Sequence, residues 1–440
     1  MRSTCRSRIR SRLTCDVGVF SGSADVSLAS STLRGDVARD VFVARQPIFD
    51  TQNRVYAYEL LFRGGLENLC PAGDSDLAAA EVLQATWLTF GLSALVGERK
   101  AFTNFTRDLL IGWYGETLPV HSTVIELLET IDGYPDVVEA CHRLKKQGYT
   151  LALDDFVYRP ALDPLIPLAD VVKINFRATN PGEQADHVRR LSSDEPRLLA
   201  EMVETAEEYE QACALGFHFF QGYFFCEPQV MTGRKLSGSQ VTHLKLLQSV
   251  TRPELVIDEM EAILKADVSA THRLMTYLGS AGFGFRAEIR SIRHALVLMG
   301  KQQIRRWVSL VALGEMNRNK PSELLMQAAV RGKFCECLSD AAGMADRGAE
   351  LFFVGSLSLV DAMLDQPMSA VLDELPLADD VRLALQGGAS PLRPVLDFVE
   401  GYERGDWTAC TAIGHDLGIP ESTVLDQYRG AVSWATNALT

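Results

Sequence analysis

The chain has 440 residues, of which 47% are hydrophobic and 23% are charged. This composition is typical of globular domains and argues against long disorder, collagen and coiled coil, and the length favours two domains or one large domain with an appendage. The net charge of −14 disfavours direct binding to nucleic acid, because an acidic body repels phosphates.

The first forty residues have the composition of a disordered tail. They carry seven Arg, four Asp and eight Ser. A secretory signal would need a continuous apolar stretch after its basic start, and residues 13–17 interrupt that stretch. We therefore interpret residues 1–40 as a disordered extension, or as the product of an upstream start codon, in preference to a functional arm.

Residues 41–235 alternate between short β-branched runs and amphipathic segments. The predicted strands are 41–44, 55–62, 101–105, 124–128, 150–153, 171–176, 198–202 and 217–220. The predicted helices between them include 76–96, 135–147, 183–192 and 205–215. Such alternation implies parallel pairing through crossover helices, and eight strands favour an α/β TIM-type (β/α)8 barrel. An open doubly wound sheet is the rival fold, but no GxGxxG sequence follows the first strand.

Residues 236–440 lose the strand pattern and are predicted to form an all-α helical domain with a C-terminal helical extension. Apolar residues recur at three- and four-residue spacing. The predicted helices are 253–264, 271–278, 291–299, 303–313, 322–338 and 349–364. A cluster of Pro, Gly and Ser within 228–238 marks the boundary between the two predicted domains.

Cysteine spacing and hydropathy indicate the cellular compartment. The nine cysteines include no CxxC pair, which favours reduced thiols in a cytoplasmic protein over a zinc site or a disulfide framework. No apolar run approaches the roughly 18 residues that span a bilayer, so we expect a soluble chain with no membrane association.

Polar side chains recur at the ends of the predicted barrel strands, where the active site of such a barrel is built. They are Glu59, Asn104, Glu126, Glu129, Asp154, Asp155, Lys173, Asn175, Glu201, Glu204 and Gln221. So many carboxylates in one pocket would require cations, and oxygen ligands favour Mg²⁺ or Mn²⁺. Two such ions would suit phosphoester hydrolysis. The alternative is that these acids are scattered, solvated loop residues.

Several segments resemble known families. Gln46-Pro-Ile, Tyr58-Glu-Leu-Leu-Phe-Arg63, Leu153-Asp-Asp-Phe156, Val172-Lys-Ile-Asn175, Ala200-Glu-Met-Val-Glu-Thr205 and Gln221-Gly-Tyr-Phe-Phe occur in the order of the EAL domain, the cyclic di-GMP phosphodiesterase family. The segments 273–281 and 291–300 are similar to the HDOD domain. The whole chain therefore resembles the bacterial two-domain EAL–HDOD signalling proteins of the YuxH type.

The resemblance implies a role for each matching residue. Glu59, Asn104, Glu126 and Asp154 match the ligands of a first metal, and Asp154, Asp155 and Glu201 match those of a second. Lys173 matches the lysine near the attacking water, and Glu129 and Glu204 match acids that support the loop over the metals. Gln221 matches a polar pocket residue, and the resemblance implies that Arg63 and Gln46 bind the substrate.

Four departures from the EAL pattern bear on activity. The signature triplet reads Glu59-Leu-Leu61, and Asn175 stands where the family has Asp. The loop from Val157 lacks the family's glycines, and Met202 stands where the family has glycine. We therefore expect a partly degenerate phosphodiesterase-like domain that binds cyclic di-GMP or a protein partner and relays its state through the HDOD domain. The alternative is an active phosphodiesterase that gives the linear dinucleotide. The partners that the resemblance implies are cyclic di-GMP, a protein bound through the HDOD domain, and a second copy in a homodimer.

Overall fold

A computed structural model provides the structure of the protein. It describes residues 41–64, 95–112, 118–192, 196–226, 238–252, 254–266, 274, 291–317 and 320–439. The predicted tail 1–40 and most of the predicted helices 76–96 and 271–278 lie outside the described residues.

Eight strands close into a barrel in the order of the sequence. They are β1 Val41–Asp50, β2 Val55–Gly64, β3 Lys100–Phe105, β4 Thr123–Leu127, β5 Thr150–Leu153, β6 Val171–Asn175, β7 Arg197–Glu201 and β8 Phe219–Gln221. The predicted strands match these bounds within a few residues, except that β1 runs six residues further than expected. The closed barrel confirms the predicted fold class and excludes the open doubly wound sheet.

The direction of β1 differs from the expected all-parallel pairing. Strand β1 pairs antiparallel with both β2 and β8, whereas the pairs from β2 to β8 are parallel. Four residues separate β1 from β2, and a parallel crossover needs a dozen or more. The connection is therefore a hairpin, in which Asp50 Oδ1 accepts hydrogen bonds from the backbone N–H groups of Gln52 and Arg54.

The barrel is packed inside by one apolar residue from each strand. These eight side chains form a separate core cluster, and each is at most 5% exposed. They are Ile48, Ala57, Phe102, Val124, Ala152, Val171, Leu199 and Phe219. Because side chains alternate between the two faces of a strand, the next inward-facing position on each strand lies two residues away.

Helices cover the outside of the barrel. They are α1 Arg107–Ile111, α2 Pro135–Gln147, α3 Pro181–Leu191 and α4 Ala206–Leu215. Gly148 and Gly216 end α2 and α4 at φ values of 95° and 87°, left-handed conformations that glycine adopts without strain. The predicted helices 135–147 and 205–215 end at the same residues as α2 and α4. Short 3₁₀ turns lie at Pro160–Leu162, Ile166–Leu168 and Phe224–Cys226.

The described residues from Gly238 onward are helical, and we call this part the helical half. Its α-helices are α5 Gly238–Thr251, α6 Ile257–Ala266, α7 Ile292–Met316, α8 Ser322–Cys337, α9 Gly348–Leu357, α10 Val360–Leu364, α11 Met368–Asp373, α12 Asp379–Leu385, α13 Arg393–Arg404, α14 Trp407–Leu417 and α15 Glu421–Leu439. A 3₁₀ turn at Ala345–Arg347 precedes α9.

The predicted separation of helices 291–299 and 303–313 is confirmed, because α7 is interrupted at Gly300, which has a non-helical φ of 75° and ψ of 161°. One predicted helix in the helical half differs from the structure. The predicted helix 349–364 is divided at Ser358 and Leu359 into α9 and α10. Trp307 on α7 is 3% exposed, as expected of a core residue.

The described residues belong to one compact unit, in which strand β1 packs against the helical half. The Tyr402 hydroxyl on α13 donates to the carbonyl of Val43 at 3.1 Å and accepts from its N–H at 3.3 Å. Phe42 contacts the rings of both Tyr402 and Trp407. These contacts place the end of α13 beside the barrel.

Candidate active site

A layer of polar side chains lies directly above the apolar layer inside the barrel. On β2 to β7 each member follows an apolar-layer residue by two positions, as Glu59 follows Ala57, and on β8 Gln221 follows Phe219 in the same way. On the reversed strand β1, Gln46 precedes Ile48 by two. We call this set the polar layer: Gln46, Glu59, Asn104, Glu126, Asp154, Lys173, Glu201 and Gln221. The two-residue repeat of a strand thus brings eight predicted site residues to one end of the barrel.

The ammonium group of Lys173 lies at the centre of the polar layer. Its side chain is fully buried, and Nζ lies 2.6 Å from Glu126, 2.7 Å from Glu201, 2.8 Å from Asp154 and 3.3 Å from Glu59. One positive charge therefore faces four carboxylates, three of which are themselves less than 9% exposed. A buried ion cluster of this kind is held together only when opposite charges are close.

The side-chain amides of the polar layer form hydrogen bonds with Glu59 and with one another. Asn104 Nδ2 donates to Glu59 Oε1 at 3.2 Å, and Gln221 Nε2 donates to Glu59 Oε2 at 2.7 Å. Gln221 Nε2 also donates to Gln46 Oε1 at 3.1 Å. Glu59 therefore accepts hydrogen bonds from both sides of the barrel, which fixes the orientation of its carboxylate.

Burial, together with neighbouring negative charge, raises the pKa of two acids in the polar layer. Burial raises the pKa of Glu201 to about 8, opposed by the charge of Lys173 and increased by those of Asp154 and Glu59. Burial also raises the pKa of Glu126 well above its ordinary value. A single ammonium does not balance four carboxylates, so the polar layer favours the uptake of protons or of further cations.

The oxygen atoms of the polar layer have the chemistry of hard divalent-cation ligands. Glu126 Oε2 and Asn104 Oδ1 are buried without a hydrogen-bond partner among the described residues, whereas Glu126 Oε1 lies 2.6 Å from Lys173 Nζ. Such unpaired buried oxygens fit a bound cation. As the side chains stand, no three Asp, Glu, His or Cys residues in the described part of the chain are grouped as a preformed metal site.

Other predicted site residues lie at the rim of the barrel. Asp155 is exposed, has a φ of 41° and accepts a hydrogen bond from Asn175 Nδ2 at 3.0 Å. Glu204 is exposed and forms an ion pair with Arg177 at 2.6 Å. Met202, where the family has glycine, adopts a φ of 54°, a left-handed conformation that favours glycine.

The predicted site residue Glu129 does not join the polar layer. Glu129 is exposed in the loop after β4, where its backbone carbonyl accepts a hydrogen bond from Arg159. Arg63 lies near the end of β2, but its side chain lies outside the described residues.

A cavity of about 660 Å³ opens above the polar layer. The barrel contributes Glu59, Asp154 and Glu201 to its wall, together with residues of the rim. The helical half contributes residues that sequence reasoning missed, namely Arg331, Ser358, Leu359, Asp361, Glu400 and Arg404. No sequence motif marked these residues, because their place at the cavity depends on how the helical half packs against β1.

Sequence comparison identifies both parts of the chain. The family model for the EAL domain matches residues 76–228, and that for the HDOD domain matches residues 239–360. The "Cyclic di-GMP phosphodiesterase CdgJ" of Vibrio cholerae is 35% identical over 401 residues, which are 90% of this chain and 93% of the relative. The "Uncharacterized protein YuxH" of Bacillus subtilis is 32% identical over 407 residues, which are 91% of this chain and 99% of the relative. The chain therefore belongs to the EAL–HDOD family of these two relatives, which confirms the predicted resemblance.

Comparison with solved structures finds EAL proteins as well. Klebsiella pneumoniae BlrP1, in a complex with calcium and cy-diGMP, is 23% identical with a TM-score of 0.36, over 43% of this chain and 56% of that chain. The Bacillus subtilis YkuI protein, with an EAL domain and in complex with c-di-GMP and calcium, is 19% identical with a TM-score of 0.36, over 57% of this chain and 70% of that chain. The family assignment rests on the sequence matches alone.

None of the helices in the described ranges is both long enough and apolar enough to cross a membrane.

Proposed function

We propose that this protein binds cyclic di-GMP above the polar layer and, with divalent cations, hydrolyses one phosphodiester bond to give the linear dinucleotide. The observation that carries the proposal is the convergence of four carboxylates and Asn104 around Lys173 at one end of the barrel. The relationship to a protein named as a cyclic di-GMP phosphodiesterase, over nearly its whole length, supports the choice of substrate.

The acids and Asn104 would hold the cations, Mg²⁺ or Mn²⁺. Glu59, Asn104, Glu126 and Asp154 are the ligands proposed for one ion, and Asp154, Asp155 and Glu201 for a second. Bound divalent ions lower the pKa of a coordinated water and stabilise negative charge that develops at phosphorus.

The residues of the chain have distinct proposed tasks around the substrate. Lys173 holds the four acids together and keeps a positive charge beside the position where the phosphodiester reacts. Gln221 and Asn104 fix the carboxylate of Glu59 from two sides. At the rim, Glu204 keeps Arg177 in place through their ion pair.

A second candidate function is a receptor that binds cyclic di-GMP without turnover and relays its state through the helical half. The observation that favours it is the hydrogen bond from Asn175 Nδ2 to Asp155. An amide at this position removes one negative charge from the rim and engages an oxygen of a proposed metal ligand, and both effects weaken a second cation site. The protein partner of the HDOD domain and the homodimer stay predictions under either function.

The deciding experiment is incubation of the full chain with cyclic di-GMP and Mg²⁺ or Mn²⁺, followed by chromatography. The proposed hydrolysis gives linear dinucleotide, and Glu59→Ala abolishes it. The matched control is Glu139→Ala, because Glu139 is an exposed acid on α2, away from the cavity. Its product yield should equal that of the wild type.

The same preparations separate the two candidate functions. Binding in calorimetry without product would favour the receptor, and absence of both binding and product at millimolar nucleotide would contradict both functions. Asn175→Asp gives a further comparison, because it restores the carboxylate. We expect it to increase turnover or metal affinity, and no change in either would show that the amide is not the limiting feature.

A further inference from the structure

The cavity above the polar layer is bounded by both halves of the molecule. Its volume of about 660 Å³ lies within the range of sites that enclose small-molecule ligands. Barrel residues such as Glu59 and Glu201 form its floor, and residues of α8, α13 and the α9–α10 junction form a wall. A ligand that fills this cavity would therefore touch the helical half as well as the barrel.

The C-terminal end of α13 is tied to the polar layer by side-chain hydrogen bonds. Gln46 Nε2 donates to the backbone carbonyls of Glu403 and Arg404, both at 3.4 Å. Gln46 Oε1 accepts from Gln221 Nε2, which also donates to Glu59. Two side chains thus connect the helix end to a buried carboxylate of the site.

Close packing holds the same helix end in place. Gly405, which ends α13 at a φ of 71°, lies so near Leu61 that a Cβ atom on Gly405 would be 2.8 Å from Leu61 Cδ1. Leu61 is the last residue of the Glu59-Leu-Leu triplet and lines the cavity. The position of α13 is therefore fixed relative to the site at two neighbouring points.

Two arginines of the helical half line the described cavity wall, and they differ in burial and in their ion pairs. The Arg331 side chain is 5% exposed and forms ion pairs with Glu403 at 2.7 Å and Glu400 at 3.3 Å. The Arg404 side chain is 59% exposed, and its ion pair with Glu400 is longer, at 3.7 Å. Arg404 lines the cavity, and its guanidinium carbon lies 5.9 Å from the centroid of the Tyr223 ring. Its exposed side chain therefore has N–H donors available to a ligand in the cavity.

We propose that Arg404 contacts a phosphodiester group of the cyclic dinucleotide, so that the nucleotide site is built from both halves of the chain. The proposal rests on the proposed function, since it names an additional residue for that ligand. A planar guanidinium presents paired N–H donors that match the oxygens of a phosphodiester. It also offsets the repulsion between an anionic ligand and the acidic cavity wall.

The test measures cyclic di-GMP binding by the full chain with Mg²⁺. Calorimetry gives Kd where there is no turnover, and initial rates give KM and kcat where there is. Arg404→Ala should raise Kd or KM about tenfold or more, as expected for a lost charge-assisted contact. Arg404→Lys should recover part of the affinity, because it keeps the charge but not the paired donors.

The control is Arg293→Ala. The Arg293 side chain is 54% exposed and forms surface ion pairs with Asp258 and Glu261, but it does not line the cavity. Its Kd or KM should stay within about twofold of the wild type, as for a solvated surface pair.

The outcomes separate this inference from the function on which it rests. Unchanged affinity of Arg404→Ala, in a protein whose wild type binds the nucleotide, would overturn the role of Arg404 and leave the proposed function intact. A wild type that neither binds nor hydrolyses the nucleotide would overturn the proposed function and, with it, this inference.

Discussion

Lys173 supplies the positive charge that stabilises the carboxylates of the polar layer. Its ammonium is the shared counter-charge of four carboxylates within 3.3 Å, and it is fully buried. We expect Lys173→Met to lower the free energy of unfolding by about 3–5 kcal/mol, because it leaves buried acids without their cation. Urea unfolding of the metal-free protein measures this loss, and Mg²⁺ should restore part of the stability by taking over the counter-charge.

A surface lysine provides the comparison. Lys145 pairs with Asp170 at 2.6 Å, and both side chains are about one-third exposed. Lys145→Met should cost no more than about 1 kcal/mol, as is usual for an exposed ion pair. Equal losses in the two variants would show that burial of the Lys173 cluster has no special energetic weight.

The raised pKa of Glu201 predicts a pH dependence of stability in the metal-free protein. The ordinary pKa of this carboxyl is 4.5, and the folded protein raises it to about 8. Between these values the folded state keeps a proton that the unfolded state has released, so this group lowers the free energy of unfolding as the pH rises. Lys173, whose pKa lies well above 10.5, stays charged throughout this window and adds no slope.

A variant isolates this contribution from other titrations. Burial lowers the pKa of both His187 and His218, so these groups act in the opposite direction. Urea unfolding of wild type and Glu201→Gln at pH 5, 6.5 and 8 should show a more negative slope in the wild type. Identical slopes would mean that Glu201 is ionised in the folded protein across the whole window.

The polar layer was predictable from sequence because strand geometry is local. Once a run such as Val171–Asn175 is read as a strand, the alternation of side chains places Lys173 on the same face as Val171. The cavity wall was not predictable in this way. Arg404 is more than 300 residues from Glu59, and only the packing of α13 against β1 brings the two to one cavity.

The turn after β8 depends on the absence of a side chain. Gly222 follows Gln221, has a φ of 146°, and lies so close to Val203 that a Cβ atom would be 2.0 Å from the Val203 carbonyl oxygen. Because the obstacle is backbone, it does not relax by a change of rotamer. We expect Gly222→Ala to cost about 3 kcal/mol or more, at the upper end of single-substitution effects, and to displace Gln221 from Glu59.

Gly418 provides a control in which an added Cβ atom causes backbone strain but no steric overlap. Gly418 ends α14 at a φ of 69°, and a Cβ atom there would meet nothing within 4 Å. Gly418→Ala should therefore cost only the left-handed strain, about 1–2 kcal/mol. Chemical unfolding of both variants measures the difference, and equal costs would contradict a backbone clash at Gly222.

Local patterns predicted the types of most secondary-structure elements but not all of their connections. The predicted ends of the helices at residues 147 and 215 were correct, and in each case a left-handed glycine follows. The antiparallel direction of β1 was missed because the predicted strand ended at residue 44, which left room for a longer connection to β2. In the structure, β1 continues to Asp50 and the connection is a tight hairpin.

Barrel and helical half share buried polar contacts as well as apolar ones. Tyr58 on β2 donates a hydrogen bond to Glu323 on α8 at 2.9 Å, and burial raises the pKa of that carboxyl. Arg45 lies over the ring of Tyr58, with its guanidinium carbon 4.5 Å from the ring centroid. Buried groups of this kind are costly to separate from their hydrogen-bond partners. We infer that the two predicted domains, 41–235 and 236–440, unfold together.

Tyr402 offers the sharpest test of this coupling. Strand β1 pairs with β8 only over Ile48–Asp50, so the free edge of β1 at Val43 is satisfied by the Tyr402 hydroxyl, which both donates to and accepts from the Val43 backbone. Tyr402→Phe leaves two buried backbone groups without partners and should cost about 2 kcal/mol. Tyr134→Phe, at a tyrosine that is 54% exposed, should stay within about 0.5 kcal/mol of wild type.

Hydrogen exchange of Tyr402→Phe, measured by mass spectrometry, tests whether the halves unfold together. Exchange should become faster to the same extent in β5–β7 and in α8, because both report one cooperative unfolding event. Faster exchange confined to one half would show that the halves unfold independently. The contacts between β1 and the helical half would then add little to the stability of the half whose exchange is unchanged.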